Sequence, residues 1–582
     1  MKKFMSGNEA VARGAWEAGV SFAAGYPGTP STEVLETLAQ YDGIDAHWST
    51  NEKVAFDECI GAALGGVRTM VTMKHVGLNV AADPFMVFPY AGTNAGFVAL
   101  VADDPGMYSS QNEQDSRYFA KIAKVPLLEP SDAMEARTLV KTAYDVSEQF
   151  ATPVMFRTTT RLAHTRGIVE VGERTEQPKK QFSRKISQYA IPVFARFRRP
   201  ELEDKLDRLR QFAEQFEGNV IEEGSAEIGI VSHGIPYQYV REVLPEATVF
   251  KLGMIYPLPK EKLREFCSRF EQVFVVEESE GFIQQEMASM GILNVMGKER
   301  FTNIGELSAD LVAQGLSSAT VPSDFAEETT ILPRPPVLCP GCSHRGVLSI
   351  LKDIGVLVTG DIGCYTLGCL PPYQAMHTTF CMGASIGNAT GFNKAGEERV
   401  IGLIGDSTFL HSGLPSLISA VYNQVPTTMI LLDNRTTGMT GHQQHPGTGR
   451  TLQHRPAPAV DYEALIKAVG VQYIEVVDPW DLKTTDAAIR SALDHPGPAV
   501  VIARRNCRLL PEEKARQSTP YQVEEGTCIQ CEDCMETGCP ALVWESDTPQ
   551  IREWECAGCA MCAHLCPVDA ICQVEVTEDA SH

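Results

Sequence analysis

Short apolar runs alternate with amphipathic stretches along most of this chain, the rhythm of strands and helices laid down in turn. In the first 175 residues, Gly96-Phe97-Val98-Ala99-Leu100-Val101-Ala102 and Pro153-Val154-Met155-Phe156 predict strands. Strands of that length between helices belong to a parallel sheet covered on both faces. The alternation breaks over 176–222, where Gln177-Pro178-Lys179-Lys180 and Arg198-Arg199-Pro200 read as a linker with one surface helix. It resumes over 223–325 with Ile228-Gly229-Ile230-Val231, Ala247-Thr248-Val249-Phe250 and Val273-Phe274-Val275-Val276. A proline-rich crossing from Pro322 to Pro336 leads into another α/β domain, 326–515. Residues 511–523 tether a last region, 516–582, that does not keep the rhythm. There are no short repeats, only α/β layers reused.

Within 326–515, Arg399-Val400-Ile401-Gly402-Leu403-Ile404-Gly405-Asp406-Ser407 predicts a buried strand ending in a turn. A helical pattern follows from Leu410 to Gln424, then a second strand, Thr427-Thr428-Met429-Ile430-Leu431-Leu432-Asp433-Asn434. This βαβ unit puts Asp406 and Asn434 at the carboxyl ends of strands, where open α/β sheets bind ligands. A carboxylate and an amide oxygen suit Mg²⁺, a hard cation held by few protein groups together with ligand phosphates. Taken alone, Gly-Asp-x with a distant Asn is a weak signal, because such turns are common in α/β proteins.

The last 67 residues carry two tandem cysteine runs, each followed by proline. One is Cys528, Cys531, Cys534 and Cys539 before Pro540; the other is Cys556, Cys559, Cys562 and Cys566 before Pro567. In two-cluster ferredoxins the first three thiolates of such a run bind one [4Fe–4S] cluster, and the fourth ligates the other. That pairs Cys528, Cys531, Cys534 and Cys566 on one cluster, and Cys556, Cys559, Cys562 and Cys539 on the second. Zinc knuckles use the same ligand type but close on four ligands each. Two copies of one pattern, each with its Cys-Pro, favour the clusters. In the first run the last gap is four residues instead of three, a longer loop with the same chemistry.

Composition narrows the class. At 582 residues the chain has room for three or four domains, and 44% hydrophobic with 21% charged residues excludes a disordered protein. Seventeen cysteines, at least eight of them in metal-ligand spacing, point to a reducing compartment. The first residues turn polar at Ser6-Gly7-Asn8-Glu9, and no apolar run nears the roughly 20 residues of a membrane span, so the expected location is cytoplasmic. A net charge of −24 argues against nucleic acid as a partner. Residues 516–582 hold 13 Asp and Glu against Arg516 and Arg552, a net of −11, which steers a charged carrier or simply solvates that face.

Further stretches carry a family resemblance. Leu338-Cys339-Pro340-Gly341-Cys342-Ser343-His344, Gly360-Asp361-Ile362-Gly363-Cys364-Tyr365-Thr366-Leu367-Gly368 and Thr440-Gly441-His442-Gln443-Gln444-His445-Pro446-Gly447-Thr448-Gly449 resemble the thiamine-binding half of 2-oxoacid:ferredoxin oxidoreductases. The resemblance extends from Gly25-Tyr26-Pro27-Gly28-Thr29-Pro30-Ser31 to the cysteine tail, and is closest to large subunits of the arylpyruvate (indolepyruvate) branch. It implies a thiamine-diphosphate-binding α/β fold. Its pyrimidine domain spans 1–175, a transketolase C-terminal-like domain 223–325 and a diphosphate domain 326–515. A ferredoxin-like α+β domain with two [4Fe–4S] clusters spans 516–582.

The resemblance also implies roles. Gly405, Asp406, Ser407, Asn434 and Thr436 match the thiamine-diphosphate signature, with Asp406, Asn434 and the Thr436 carbonyl on Mg²⁺; Ser407 stands where glycine is usual. Glu52, in Asn51-Glu52-Lys53-Val54-Ala55 and nine residues before Gly61, matches the catalytic glutamate. A carboxylate at N1′ of the aminopyrimidine favours the tautomer that can take up the C2 proton. Thr29 resembles the substrate-carboxylate threonine of relatives with a Pro-Ile-Thr-Pro turn. Arg117 would supply a planar fork for the same carboxylate. His75, before Val76-Gly77-Leu78-Asn79, would line the cofactor cleft, with His344 and His411 near the diphosphate. Cys339, Cys342, Cys364 and Cys507 would ligate a third [4Fe–4S] cluster beside the thiamine, as in relatives with a thiamine-proximal cluster.

The implied reaction is oxidative decarboxylation of an arylpyruvate. Electrons leave singly through the clusters to ferredoxin, and coenzyme A accepts the acyl group. The coenzyme A and electron-transfer domain of relatives has no counterpart here, so a small second (beta) subunit is implied, in an α2β2 assembly. A non-oxidative thiamine decarboxylase would need no cluster tail. A redox relay with inactive thiamine domains would not keep Glu52, Asp406 and Asn434.

Overall fold

The computed structural model describes residues 1–182, 185, 188, 190–317, 336–516 and 518–574. The proline-rich crossing lies outside these residues except for Pro336. The chain forms two compact units, Met1–Thr329 and Thr330–His582.

The first unit contains two sheets. Seven strands form the larger, in the order Met254–Tyr256, Leu127–Leu128, Val154–Thr159, Phe97–Asp103, Thr69–Lys74, Phe22–Gly25, Asp45–Trp48. All pairs are parallel except the first. The strands Thr69–Lys74, Phe97–Asp103 and Val154–Thr159 are buried along their whole length, as apolar runs covered on both faces must be. Phe56, Phe85, Phe88 and Phe97 pack edge-on and tilted against one another, with ring centroids 5.0 to 6.4 Å apart. The second sheet runs Val295–Met296, Gln272–Val276, Ile228–His233, Thr248–Leu252, Val220–Glu222.

Two boundaries differ from the sequence pattern. Residues 176–222 are more than a linker, because Val220–Glu222 pairs antiparallel with Thr248–Leu252 and edges the second sheet. The helix Pro192–Gln215 buries Leu202, Leu206, Leu209 and Ala213, an apolar stripe within a charged sequence. Met254–Tyr256, inside the region 223–325, crosses to the first sheet and pairs with Leu127–Leu128. The two sheets therefore share one core.

The second unit is built on six parallel strands, ordered Thr378–Thr379, Leu357–Gly360, Val400–Gly405, Thr428–Asp433, Ala499–Arg504, Tyr473–Val477. The order reverses at Leu357–Gly360, and at such a switch point the strand ends open a crevice. The helix predicted from Leu410 to Gln424 begins as a π-turn, Phe409–Gly413, before the regular helix Leu414–Tyr422. Such turns inside helices are frequent at functional sites.

The cysteine region carries two antiparallel pairs, Tyr521–Val523 with Ile571–Gln573 and Leu542–Glu545 with Thr548–Ile551. It packs on the helix His344–Ile354 and on the loop before it. A Cβ on Gly341 would come within 2.3 Å of the Ala557 Cβ, and one on Gly346 within 3.0 Å of the Met561 Cε. Lys352 pairs with Glu536. A tail so seated is a docked module, where a tether over 511–523 suggested a loose one. No helix among the described residues is long and apolar enough to cross a membrane.

Candidate functional site

In the first unit the chemistry gathers at the carboxyl ends of Phe22–Gly25 and Thr69–Lys74. Glu52 opens the helix Glu52–Leu64, whose N-cap Asn51 accepts the Val54 N–H at 2.9 Å. An isolated glutamate at a helix start normally faces water, yet Glu52 is only 5% exposed. A Cβ on Gly77 would lie 2.6 Å from Glu52 Oε1, so only glycine lets the helix His75–Val80 pass this close to the carboxylate. His75 is fully buried; its Nε2 lies 3.1 Å from the Asn112 carbonyl, while Nδ1 has no partner among the described residues. A carbonyl can only accept, so Nε2 donates to it, and Nδ1 is left facing no protein partner among the described residues. Thr29 is tied in through its carbonyl, which accepts from the Ser109 hydroxyl at 3.1 Å.

Lys74, which the sequence pattern did not single out, joins these groups. Its ammonium donates to the Ser109 carbonyl at 2.8 Å. Burial lowers its pKa to about 8, against the pull of Asp104 and Glu52. A lysine ending an otherwise uncharged buried strand was the available signal.

Arg117 does not offer a fork. Its Nε donates to Asp115, Nη1 to Glu277 at 2.7 Å and toward His233 Nε2 at 3.1 Å. Nη2 donates to Asp115 and to the Glu278 and Glu280 carbonyls. All five N–H groups are engaged and the side chain is fully buried, which leaves none for a substrate carboxylate. Arg157 extends the same network to Asp103 and Glu129, each at 2.7 Å, and His233 Nδ1 stands 3.2 Å from Glu129. The expectation of Arg117 as a carboxylate fork gives way to a buried ion network.

In the second unit Asp406, Asn434 and Thr436 meet at the ends of Val400–Gly405 and Thr428–Asp433, all buried. Asp406 Oδ1 accepts the Ser407 N–H and Oδ2 the Arg435 N–H, both at 2.8 Å. Asn434 Oδ1 accepts the Thr436 N–H at 3.2 Å, and its Nδ2 lies 3.4 Å from His344 Nε2. Burial lowers the His344 pKa to about 4 against the pull of Asp406, so the ring is neutral and accepts from the amide. His445 is a further residue of this site, with Nδ1 accepting the Gly447 N–H at 3.1 Å and Nε2 3.3 Å from Asp406 Oδ2. Gly405 ends its strand extended, and Ser407 Oγ accepts from Thr437 Oγ1 at 3.1 Å. His411 is buried on the π-turn, with Nδ1 2.5 Å from Ser412 Oγ.

Four cysteines surround the same strand ends. The Cys507 N–H donates to the Asn434 carbonyl at 2.9 Å, and Cys364 Sγ would lie 3.4 Å from a Cβ on Gly438. Burial pushes the Cys342 thiol up to about 12, with Cys364 and Cys339 adding to the rise. Burial and then Cys507 and Cys339 push Cys364 to about 11. The tail thiols fall into two sets. Cys534 is raised to about 11 by burial and by Cys531, Cys528 and Cys566; Cys562 to about 12 by burial and by Cys559, Cys539 and Cys556. None of these cysteines forms a disulfide.

These donors fit the groups that the family uses. One carboxylate, one amide oxygen and a carbonyl suit Mg²⁺ with a diphosphate. Clustered, mostly half-buried thiols are costly as bare thiolates, and iron removes that cost. Among the described residues no three His, Cys, Asp or Glu groups converge as on a single ion. Neither group requires it, since the Mg²⁺ set has one carboxylate and a cubane takes one thiolate per iron.

The fold and these donors define a thiamine-diphosphate-dependent α/β enzyme. Residues 13–214 match the family described as "Pyruvate flavodoxin/ferredoxin oxidoreductase, thiamine diP-bdg". Residues 361–503 match "Thiamine pyrophosphate enzyme, C-terminal TPP binding domain". The chain is 40% identical to the indolepyruvate oxidoreductase subunit IorA of Archaeoglobus fulgidus, over 98% of this chain and 97% of that one. It is 42% identical to the same subunit of Methanothermobacter marburgensis (98% and 97%), and 38% to that of Pyrococcus horikoshii (99% and 98%). A 2-oxoglutarate:ferredoxin oxidoreductase from Magnetococcus marinus aligns at 17% identity and TM-score 0.47, over 54% of this chain and 64% of that one. The chain belongs to the IorA family of indolepyruvate oxidoreductase subunits, among the thiamine-dependent 2-oxoacid:ferredoxin oxidoreductases.

Proposed function

We propose that this chain is the thiamine-bearing subunit of an enzyme that oxidises arylpyruvates, indolepyruvate first, to arylacetyl-CoA. One turnover converts the 2-oxo acid and coenzyme A to the acyl-CoA, CO2 and one proton, and two electrons reduce two ferredoxins. Bound thiamine diphosphate would supply a nucleophilic carbon for the 2-oxo group and, in its cationic ring, a sink for the electron pair left by CO2. Asp406, Asn434 and the Thr436 carbonyl hold Mg²⁺ and through it a diphosphate. Glu52 holds the proton at N1′ of the aminopyrimidine. His75 lines the cleft with its free Nδ1, and Thr29 orients the substrate carboxylate. Cys339, Cys342, Cys364 and Cys507 ligate one [4Fe–4S] cluster, and the two tail sets ligate two more. A second subunit that binds coenzyme A completes the enzyme, as an α2β2 assembly.

One observation carries this reading: two of these cysteines adjoin the strand end that bears Asn434, the Cys507 backbone N–H donating to the Asn434 carbonyl and Cys364 Sγ lying 3.4 Å from a Cβ on Gly438. A non-oxidative decarboxylase has no use for an electron acceptor there. The test is anaerobic CO2 release by the two-subunit enzyme on indolepyruvate, phenylpyruvate, pyruvate and 2-oxoglutarate, with and without ferredoxin. Expected is acceptor-dependent release, fastest with indolepyruvate, from protein holding about twelve irons and twelve sulfides per chain. Release independent of acceptor sinks the oxidative reading. Eight irons in fully loaded protein remove the cluster at Cys339, Cys342, Cys364 and Cys507.

A further inference from the structure

Arg345 is a buried cation whose hydrogen bonds leave its charge uncompensated. It is 2% exposed, the second residue of the helix that follows the Cys339–Cys342 loop. Its Nε donates to the Cys339 carbonyl at 2.9 Å and Nη2 to the Leu338 carbonyl. Its Nη1 donates to Tyr373 Oη at 3.2 Å and to the Thr537 carbonyl at 2.5 Å. Tyr373 Oη donates to the same Thr537 carbonyl at 2.6 Å. These partners are carbonyls and a hydroxyl, and no carboxylate pairs with this guanidinium among the described residues. A charge removed from water is costly unless something opposite in sign compensates it. Arginine cannot shed its proton to escape that cost.

The groups around it name the compensation. Arg345 Nε is bonded to the carbonyl of Cys339, in the first set, and Nη1 to the carbonyl of Thr537, two residues before Cys539. A Cβ on Gly538, beside Cys539, would lie 3.8 Å from Arg345 Nη1. Gly341 packs on Ala557, between Cys556 and Cys559. The guanidinium therefore stands between the Cys339, Cys342, Cys364, Cys507 set and the Cys556, Cys559, Cys562, Cys539 set. A [4Fe–4S] cluster with four thiolates is anionic and gains a further negative charge on reduction.

We propose that Arg345 is a positioning residue that joins these two clusters and raises their reduction potentials, making the Cys539 cluster the first in the tail to receive the electron. The step moves one electron, reoxidising the cluster at Cys342 and reducing the one at Cys539. A fixed positive charge stabilises each reduced state, and hydrogen bonding and buried charge near the sulfurs are the levers by which proteins tune such potentials. The proposal rests on the three-cluster reading above.

The test is an EPR-monitored redox titration of the anaerobically purified two-subunit enzyme carrying Arg345→Gln or Arg345→Lys, with iron and sulfide counted in each. In Arg345→Gln, the reduction equilibrium of the two flanking clusters should fall roughly tenfold, about 59 mV for a one-electron couple. The Cys528 cluster should move less, and Arg345→Lys should restore most of the shift. Unchanged potentials in a fully loaded Gln variant overturn the proposal. If the Gln variant loses iron, the Lys variant decides: full iron and near wild-type potentials support a role for the charge. Iron loss in both shows a mere tether and overturns it. Should wild-type protein hold only eight irons, the three-cluster reading has failed; a lowered potential at the Cys539 cluster would still separate that failure from this one.

Discussion

Arg117 and Arg345 are both buried guanidiniums, one in each unit, and they are solvated in opposite ways. Arg117 has Asp115 and Glu277 in direct contact, and both carboxylates gain from it. Burial pushes Asp115 up, but the arginine beside it holds its pKa below the usual carboxylate range. Arg117 and the two carboxylates that touch it answer one another within the protein, so the pairing is scaffold that fixes one sheet of the first unit against the other. Arg345 is answered only by neutral dipoles. Asp406 is likewise held by backbone N–H groups, with no arginine or lysine among its ion pairs in the described residues. A buried charge that the protein completes is architecture, whereas one left incomplete waits for a ligand of opposite sign.

Glu52→Gln breaks the comparison most sharply, because Glu52 is a buried carboxylate of the first unit that lies outside the scaffold network. Turnover is expected to fall about 10²- to 10⁴-fold, the usual contribution of a positioned acid–base group. Thiamine diphosphate binding, followed by calorimetry, should stay near wild type. Near-normal turnover would take Glu52 out of the mechanism.

Arg117→Met tests the scaffold side. Removing one member of a buried pair costs roughly 3–5 kcal/mol, because Asp115 and Glu277 are left uncompensated. The denaturant midpoint of the first unit should drop accordingly, while the protein that stays folded keeps its KM. A raised KM at unchanged stability would return Arg117 to the substrate carboxylate. Asp406→Ala should do the converse. The fold is retained, and affinity for Mg²⁺ with thiamine diphosphate falls at least on the order of 100-fold, since even outer-shell partners of a metal are worth that much. Unfolding without any loss of affinity would place Asp406 in the scaffold.

What the sequence disclosed, and what it hid, follows the same division. The placement of Asp406 and Asn434 at neighbouring strand ends was legible because a βαβ pattern is local, as is the short spacing of the tail cysteines. Cys566 is among the thiols that raise Cys534, and Cys539 among those that raise Cys562, each from the other run. Arg117 was misread because its partners Glu277 and His233 lie in another sheet, 160 and 116 residues away. Arg345 was silent for the same reason, its contact with Thr537 spanning 192 residues. Met254–Tyr256 crosses between sheets with three residues, too few for any periodicity to register. His445 lay inside a motif already quoted and Lys74 directly before His75, but nothing in their spacing separates a site residue from a buried one.

Glu278 supplies the smallest and most specific test, since it is the member of the buried network that arginine leaves unpaired. It is 1% exposed; Oε1 accepts the Leu307 N–H at 3.0 Å, and Oε2 has no partner among the described residues. Burial raises its pKa from the ordinary 4.5 to about 7, although the Leu307 N–H and Arg157 pull the other way. A carboxyl whose pKa rises on folding binds more protons folded than unfolded between those two values. Its contribution to stability is whole below the ordinary pKa and is lost as pH climbs through about 7. Stability should therefore decline across that window by at most about 1.4 kcal/mol per pH unit from this group. Glu278→Gln copies the protonated acid and has nothing to ionise. The difference in unfolding free energy between variant and wild type, measured from pH 5 to 8, should widen steadily in favour of the variant. Parallel profiles would mean that Glu278 is ionised throughout and that Arg157 already compensates it.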